Sequence, residues 1–267
     1  MAVHYALDEH HIVRIVIDRP ERRNALDLPH FADLTATWRR FNADPSAWVA
    51  IVTGVPGSFC SGADLRDFLP LAQRLAAEGR TEHQGIPMSV GTDAVLLTLD
   101  SYKPIIAAVD GPCLAGGMDL LGGTDIRLAT PEATFGLPEP KRGLMADGGT
   151  TARLPRQIGW PAAMELLLTG RTVSAARALQ LGLLNEVVSA EVLEDRATMW
   201  AREIAANAPL AVQATKEAVL RGLSAPNGLA GAYDLEARIG RRLLATKDVT
   251  EGLNAFIERR APLWQGR

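Results

Sequence analysis

The sequence predicts an α/β fold in which strand–helix units are followed by a helical C-terminal part. Short apolar runs at 48–53, 105–109 and 126–129 have the length of buried strands and end at turn residues. Glycine-rich turns join these runs to segments with helical spacing, as in repeated β–β–α or β–α units. Beyond Gly159 the apolar residues recur at helical spacing, and only the short apolar piece at 185–188 interrupts them.

The N-terminal region is predicted to form two strands and then a helix. Residues 11–18 alternate between two faces and follow a strand-like run near 3–7, which indicates a hairpin-like pair. The helix is indicated by apolar side chains at helical spacing before the strand at 48–53, namely Phe31, Leu34, Trp38 and Phe41. This gives a strand–helix–strand unit after the first strand.

The C-terminal part is predicted to be almost entirely helical. After a helix at 150–157, further helices are predicted at 162–168, 175–181, 192–206, 210–222, 233–244 and 249–260. The last begins near Asp248 and Glu251, three residues apart as in a capping box. We predict a core at residues 1–200 and a helical oligomerisation subdomain at 201–267. A helical extension this thin has little interior of its own, so it packs most naturally against neighbouring subunits.

Composition argues against several classes of partner. The 28 basic and 31 acidic residues give a net charge of −3, which provides no general attraction to nucleic acid or anionic lipid. Two cysteines, Cys60 and Cys113, are typical of a reduced intracellular protein. The N-terminus lacks the continuous apolar core of a signal peptide, and no run approaches the ~20 apolar residues of a membrane span. We therefore expect a cytoplasmic protein with no membrane span and no nucleic-acid partner; the alternative location is an organelle reached through a cleaved transit peptide.

Two glycine-bearing turns that follow strands are the first candidates for chemistry. They are the segments 57–65 and 111–120. Small residues let a backbone approach a ligand, and N–H groups at a helix start can stabilise negative charge. For the first segment, a turn in which Asp64 caps the next helix is the alternative. The second lacks the Gly-Lys-Ser/Thr of a phosphate loop and contains no G-x-S-x-G nucleophile elbow.

A third segment, 135–149, places two acids, Glu139 and Asp147, in one turn-rich loop. Loops of this kind often carry catalytic groups, although a lone carboxylate is also common as a helix cap or a surface charge. The five histidines lie outside all three segments, and the acids lack a metal-ligand pattern. We therefore predict no metal site.

Together with their flanks, these segments resemble the crotonase (enoyl-CoA hydratase/isomerase) superfamily. The matching stretches are DRPERRNAL at 18–26, SFCSGADL at 58–65, KPIIAAVDGPCLAGGMDL at 103–120, FGLPEPKRGL at 135–144, LLLTGRTVSAARALQLGLLNEVV at 166–188 and FIERRAPLWQGR at 256–267. The resemblance covers nearly the whole chain, and motifs in this order and spacing are highly specific. It implies a crotonase-like spiral of β–β–α units followed by a helical region that assembles homotrimers or dimers of trimers.

The resemblance also implies the parts of an acyl-CoA site. The backbone N–H groups of Ala63 and Gly116 would form an oxyanion hole for the thioester oxygen. The CoA path would be lined by Arg22, Ala25, Asp64 and Leu65, and the candidates for contacting its phosphates are Arg22, Arg23, Arg259 and Arg260. Residues 68–91 would cover the acyl pocket. No cofactor is implied, because coenzyme A is part of the substrate.

The acids refine what the resemblance implies about the reaction. Asp119 and Glu139, 20 residues apart, stand where family hydratases carry two glutamates. The shorter Asp119 would hold its carboxylate about one methylene further from a bound water, which speaks against plain hydration. With Asp147, the set looks like that of Δ3,5-Δ2,4-dienoyl-CoA isomerases. On this resemblance Glu139 is the principal base and acid, Asp147 its partner, and Asp119 an orienting or auxiliary acid.

The sequence thus favours double-bond isomerisation of a dienoyl-CoA. The alternative is a trans-2-enoyl-CoA hydratase of fatty-acid degradation, in which Glu139 and Asp119 hold a water. A minor alternative is a non-catalytic acyl-CoA-binding scaffold that keeps the fold.

Overall fold

The computed structural model describes residues 3–267, and its elements follow the predicted order. The strands are β1 (Val3–Leu7), β2 (Ile12–Ile17), β3 (Val49–Gly54), β4 (Glu82–His83), β5 (Ile86–Pro87), β6 (Ile105–Val109), β7 (Pro112–Leu114), β8 (Ile126–Ala129), β9 (Thr134–Gly136), β10 (Thr172–Ser174) and β11 (Glu186–Val187). The helices are α1 (Leu28–Ala43), α2 (Phe68–Ala77), α3 (Val90–Ala94), α4 (Gly116–Gly122), α5 (Thr150–Ile158), α6 (Trp160–Thr169), α7 (Ala175–Gln180), α8 (Ala190–Ala205), α9 (Pro209–Gly222), α10 (Leu229–Leu243) and α11 (Lys247–Glu258).

The main sheet has the strand order β1-β2-β3-β6-β8-β11. The pair β1 and β2 is antiparallel, which confirms the predicted N-terminal pair, and the other neighbours are parallel. Parallel neighbours need a crossover connection, which α1 provides between β2 and β3. Because parallel strands end at the same edge of a sheet, the turns that follow β3 and β6 emerge side by side.

Side chains of the main sheet alternate between two cores, as expected from the two-residue period of a strand. One face carries Ile51 and Ile106 against α8, where Leu193 and Ala197 are buried. The opposite face belongs to the larger core, which includes Trp38 of α1. The β–β–α prediction is confirmed, because β6, β7 and α4 follow one another, as do β8, β9 and α5.

A second, smaller sheet has the order β10-β9-β7 and stands beside the turns that leave the main sheet. Strand β7 runs parallel to β9, and β9 runs antiparallel to β10. Glu139 lies in a short 3-10 helix, Glu139–Arg142, that begins three residues after β9 ends. The two sheets therefore bring the end of β9 close to the turn between β7 and α4.

The C-terminal helices occupy the predicted positions, but the predicted capping box is wrong. Helix α11 begins at Lys247, and the side chain that accepts from its first turn is that of Thr246, not Asp248. Asp248 instead accepts hydrogen bonds from the N–H groups of Gln265 and Gly266, at 2.7 and 2.9 Å. The C-terminal tail folds back on α11, and its N–H groups bond the Asp248 carboxylate that was predicted to cap this helix.

The predicted division of the chain falls within a helix. The boundary between residues 200 and 201 lies inside α8, and Ala201 packs with Leu193 in the core beneath the main sheet. The division itself stays a prediction. Within residues 3–267, no helix combines the length and the apolar character needed to cross a membrane.

Candidate active site

A cleft of about 850 Å³ lies where the three candidate segments meet. The residues that the resemblance assigned to catalysis, to the oxyanion hole and to the CoA path all line this cleft: Arg22, Ala25, Ala63, Asp64, Leu65, Gly116, Asp119, Glu139 and Asp147. Arg23 also lines it, whereas Arg259 and Arg260 lie outside its lining. The Arg260 guanidinium forms ion pairs with Glu251 and Glu258 at the C-terminus.

The region 68–91, predicted to cover the acyl pocket, forms one wall of the cleft. Its lining residues are Phe68, Leu69, Ala72, Met88 and Gly91. The ring of Phe68 packs against that of Phe31 with 4.8 Å between their centroids. This side of the cleft is therefore apolar and suits a hydrocarbon chain.

Backbone hydrogen bonds hold the two glycine-bearing turns together. The Cys60 N–H donates to the Pro112 carbonyl at 3.0 Å, and the Leu114 N–H donates to the Cys60 carbonyl at 2.9 Å. The Ala115 N–H donates to the Gly136 carbonyl at 3.0 Å, which ties the second turn to the end of β9. These bonds fix the turns relative to each other and to the segment that carries Glu139.

The N–H groups of Ala63 and Gly116 are available at this junction. Within residues 3–267 neither donates a hydrogen bond, although both neighbours of Ala63 do. A Cβ added to Gly62 would lie 2.8 Å from the Gly116 nitrogen, so the two backbones approach as closely as glycine allows. Two donors placed in this way can stabilise negative charge on one oxygen, each by about 3 kcal/mol.

Small residues are required around this junction for defined reasons. Gly62 has φ +93°, a left-handed conformation that other residues rarely adopt. A Cβ on Gly117 would lie 2.2 Å from the Cys60 carbonyl oxygen. Ala115 has φ 52° and ψ −121°, an unusual conformation for a residue with a side chain, directly before α4. Strain of this kind is commonly stored at functional turns.

Glu139 points one carboxylate oxygen into a buried position. Its Oε2 is buried and has no hydrogen-bond partner among the described residues. Burial raises the pKa of Glu139, and the charges of Asp119 and Asp147 raise it further, whereas a hydrogen bond from its own backbone N–H and the charge of Arg142 act in the opposite direction. A carboxyl group with a raised pKa and one unpartnered oxygen is suited to transfer protons.

Asp119 projects from α4, three residues after Gly116, and is 6% exposed. Its Oδ1 accepts hydrogen bonds from the N–H of Thr150, at 3.2 Å, and from the Thr150 hydroxyl. Burial is the largest influence and raises the pKa of Asp119 above its ordinary value, although the bonds from Thr150 act to lower it. The Asp119 charge raises the pKa of Glu139 more than the Asp147 charge does. Asp147 itself is exposed at the cleft.

Arg19 supports the site from outside the cleft lining, and no sequence pattern indicated it. Its guanidinium donates to the Asp64 carboxylate at 3.1 Å and to the Ala25 carbonyl at 2.8 Å. Burial acts to raise the pKa of Asp64, but the N–H groups of Arg66 and Asp67 and the charge of Arg19 outweigh it. Asp64 therefore stays ionised and stabilises the turn that contains Ala63. Besides accepting from backbone N–H groups, as a helix cap would, its carboxylate also bonds the Arg19 side chain.

Cys60 and Cys113 are both free and fully buried beneath the turns. Burial raises the pKa of Cys60 to about 12, so its thiol stays protonated. Within residues 3–267 no group of three or more His, Cys, Asp or Glu side chains is placed to hold a metal ion.

The raised pKa of Glu139 leads to a prediction about stability. As pH rises above the ordinary value of 4.5, the unfolded chain loses this proton before the folded chain does. Its contribution to stability is therefore full at low pH and is lost as pH rises through the folded-state pKa. We expect Glu139→Gln to unfold at a higher temperature than the wild type at neutral pH, with the gap narrowing in acid. Calorimetry across pH measures this, with exposed Glu132→Gln as the control. Equal melting temperatures at neutral pH would contradict it.

Comparison with known proteins agrees with this geometry. The family model for enoyl-CoA hydratase/isomerase matches residues 8–267. The chain is 39% identical over 259 residues to the (E)-benzylidenesuccinyl-CoA hydratase of Thauera aromatica, which covers 96% of each chain. It is 38% identical over 257 residues to the enoyl-CoA hydratase EchA19 of Mycobacterium tuberculosis, which covers 96% of this chain and 94% of that one. The crystal structure of enoyl-CoA hydratase from Bacillus anthracis matches with a TM-score of 0.90 and 32% identity over 100% of both chains. The chain belongs to the enoyl-CoA hydratase/isomerase family of the crotonase superfamily.

Proposed function

We propose that this acyl-CoA enzyme adds water reversibly across the 2,3 double bond of an unsaturated acyl-CoA. The observation that carries the proposal is the unpartnered, buried Oε2 of Glu139 in the same cleft as Asp119 and the free N–H groups of Ala63 and Gly116. Membership of the family supports an acyl-CoA substrate, and the relatives described above are named hydratases. The proposal places hydration before isomerisation, whereas the sequence favoured isomerisation.

The proposed mechanism gives the backbone donors and the two acids separate parts in the forward direction. The thioester oxygen accepts from the N–H groups of Ala63 and Gly116, which stabilise the enolate as it forms. The oxygen of water adds to C3 while Asp119 takes the water proton, and the carboxyl proton of Glu139 passes to C2. A final proton transfer from Asp119 to Glu139 restores both groups. The raised pKa of Glu139 supports its role as the proton donor.

Double-bond isomerisation of a dienoyl-CoA is the second candidate, and Asp147 favours it. This third acid lines the same cleft as Glu139, and a relay between distant carbons needs a base and an acid at two positions. In that reaction Glu139 and Asp147 would exchange protons with the two ends of the conjugated chain. The N–H groups of Ala63 and Gly116 would again stabilise the negative charge on the thioester oxygen.

Absorbance separates the candidates. Hydration of crotonyl-CoA removes the conjugated enoyl absorbance, whereas isomerisation of a 3,5-dienoyl-CoA creates a conjugated 2,4-dienoyl absorbance. We expect the wild type to bleach 2-enoyl thioesters faster than it converts 3,5-dienoyl thioesters. The reverse order would support isomerisation, and binding without turnover across a panel of chain lengths would support the scaffold alternative.

We also infer that the C-terminal helices assemble copies of this chain into a trimer or a dimer of trimers. Helix α11 exposes apolar side chains that a monomer would leave in water, with Phe256 85% and Ile257 76% exposed. Leu253 of the same helix and Leu263 of the C-terminal tail are also exposed. An apolar surface of this kind is typical of an interface.

Replacing Phe256 with Glu should weaken this assembly, because it places a charge where apolar side chains would meet. We expect light scattering to show a smaller species or a mass that falls on dilution. Ala36→Glu, on the exposed face of α1, is the control and should keep the wild-type mass. A wild type that is monomeric at micromolar concentration would refute the assembly.

A further inference from the structure

Thr150 is a buried residue that touches an acid of the active cleft but does not line the cleft itself. We propose that Thr150 is a positioning residue, which orients the Asp119 carboxylate and keeps it ionised for proton transfer with Glu139. The inference rests on the proposed function, because it gives Asp119 a part in the reaction. Its geometry, however, comes from contacts that are independent of any substrate.

The contacts place Asp119 between two helices. Asp119 lies on α4, and Thr150 is the first residue of α5. Both the N–H and the hydroxyl of Thr150 donate to the same oxygen, Oδ1 of Asp119. Within residues 3–267 no group donates to the second oxygen, Oδ2. One oxygen is therefore anchored, and the other is left for chemistry in the cleft.

Local backbone geometry shows why a distant residue, Asp119, accepts the hydrogen bond from the first turn of α5. The N-cap of α5 is Gly149, which has φ 103° and no side chain to accept from the first turn. The Asp119 carboxylate takes that place and puts negative charge at the positive end of the helix. A Cβ on Gly148 would lie 2.3 Å from Oδ2, so the loop packs directly against the carboxylate. Gly148 and Gly149 leave room for the Asp119 side chain, and the hydrogen bonds from Thr150 hold its carboxylate in place.

The groups around Asp119 affect whether its carboxyl group is protonated, and the bonds from Thr150 act on the same balance. The titratable and charged groups around Asp119 are Glu139, Asp147, Arg153 and the buried thiols of Cys60 and Cys113. Burial and the charge of Asp147 raise the pKa of Asp119, and the two bonds from Thr150 together with Arg153 oppose them. Without the hydroxyl, Asp119 would hold its proton to higher pH and would rotate more freely.

The test compares Thr150→Val with Thr150→Ser, which keeps the hydroxyl. Thr151→Val is the matched control, because Thr151 is the next residue on α5 and is exposed. We expect Thr150→Val to lower kcat by roughly 10-fold or more, with KM nearly unchanged, and to shift the acidic limb of the kcat profile to higher pH. Thr150→Ser should restore most of kcat and the profile, and Thr151→Val should resemble the wild type.

A double-mutant cycle with Asp119→Asn asks whether Thr150 acts through Asp119. If it does, Thr150→Val lowers kcat no further in the Asp119→Asn background. Additive losses would overturn the proposal, as would a Thr150→Ser variant that is as impaired as Thr150→Val.

A measurement without turnover separates this inference from the proposed function. Carbon NMR of protein labelled at the aspartate carboxyl group follows the titration of Asp119, which is assigned with Asp119→Asn. We expect Thr150→Val to move this titration to higher pH, and Thr150→Ser to leave it near the wild-type position. An unchanged titration in Thr150→Val would overturn the role of Thr150. Absence of turnover by the wild type would overturn the proposed function and leave this result standing.

Discussion

Replacing Glu139 with Gln should lower kcat by about 10³-fold while acyl-CoA still binds. The substitution keeps the size of the side chain but removes the proton that passes to and from the substrate. Binding should survive because the proposed CoA side of the cleft, including Arg22 and Leu65, is untouched. Steady-state kinetics measure kcat, and calorimetric titration with a saturated acyl-CoA measures binding.

The matched control for this change is Glu132→Gln. Glu132 is an exposed acid that precedes β9 and does not line the cleft. The control should retain wild-type kcat, which separates loss of a catalytic proton from a general loss of charge. Wild-type turnover by Glu139→Gln would remove Glu139 from the mechanism.

Replacing Gly62 with Ala should lower kcat by roughly 100-fold, because it disturbs the proposed oxyanion hole. The added Cβ would lie 2.8 Å from the Gly116 nitrogen and 2.7 Å from the Ala115 Cβ, so the two turns must separate. The N–H groups of Ala63 and Gly116 would then no longer converge on one thioester oxygen. Because both donors act mainly as charge develops, KM should change much less than kcat.

Gly57→Ala is the control for backbone strain. Gly57 has φ +87°, close to the +93° of Gly62, yet a Cβ there meets nothing within 4 Å. Both variants therefore carry similar strain, and only Gly62→Ala pushes the turns apart. Equal kcat losses in the two variants would mean that strain, not the geometry of the hole, explains the effect.

The sequence located the strands well where apolar runs are short and bounded by turn residues. The strands β6 and β8 occupy 105–109 and 126–129, the predicted ranges. Because β3 and β6 are parallel neighbours, the turns that follow them leave the sheet at one edge. Periodicity and topology were sufficient to bring these turns together, whereas the choice of Ala63 and Gly116 within them came from the family resemblance.

Contacts between distant residues could not be predicted in this way. The bond from Thr150 to Asp119 joins positions 31 residues apart, and the bond from Arg19 to Asp64 joins positions 45 apart. A weak signal for the first was present in the sequence, because Gly149 offers no side chain to cap α5. The error at Asp248 has the same origin: a local pattern suggested a cap, while the returning C-terminal tail used the carboxylate.

The preference for isomerisation came from the resemblance of three acids to those of dienoyl-CoA isomerases. The set Asp119, Glu139 and Asp147 is present in one cleft, but the set does not by itself rank its members. The structure shows that Asp119 is buried and anchored, whereas Asp147 is exposed. Burial and exposure decide how strongly each acid acts on Glu139, and neither can be read from residue spacing.

Deuterium incorporation tests most directly whether Glu139 moves a proton on the acyl chain of a thioester held at the hole. Wild-type enzyme is incubated with crotonyl-CoA or a 3,5-dienoyl-CoA in D2O, and mass spectrometry follows the acyl group. Hydration and isomerisation both require proton transfer to carbon, so we expect deuterium to appear in the chain with the wild type and to be nearly absent with Glu139→Gln. Labelling at the wild-type rate by Glu139→Gln, or no labelling by a wild type that binds the thioester, would contradict the mechanism.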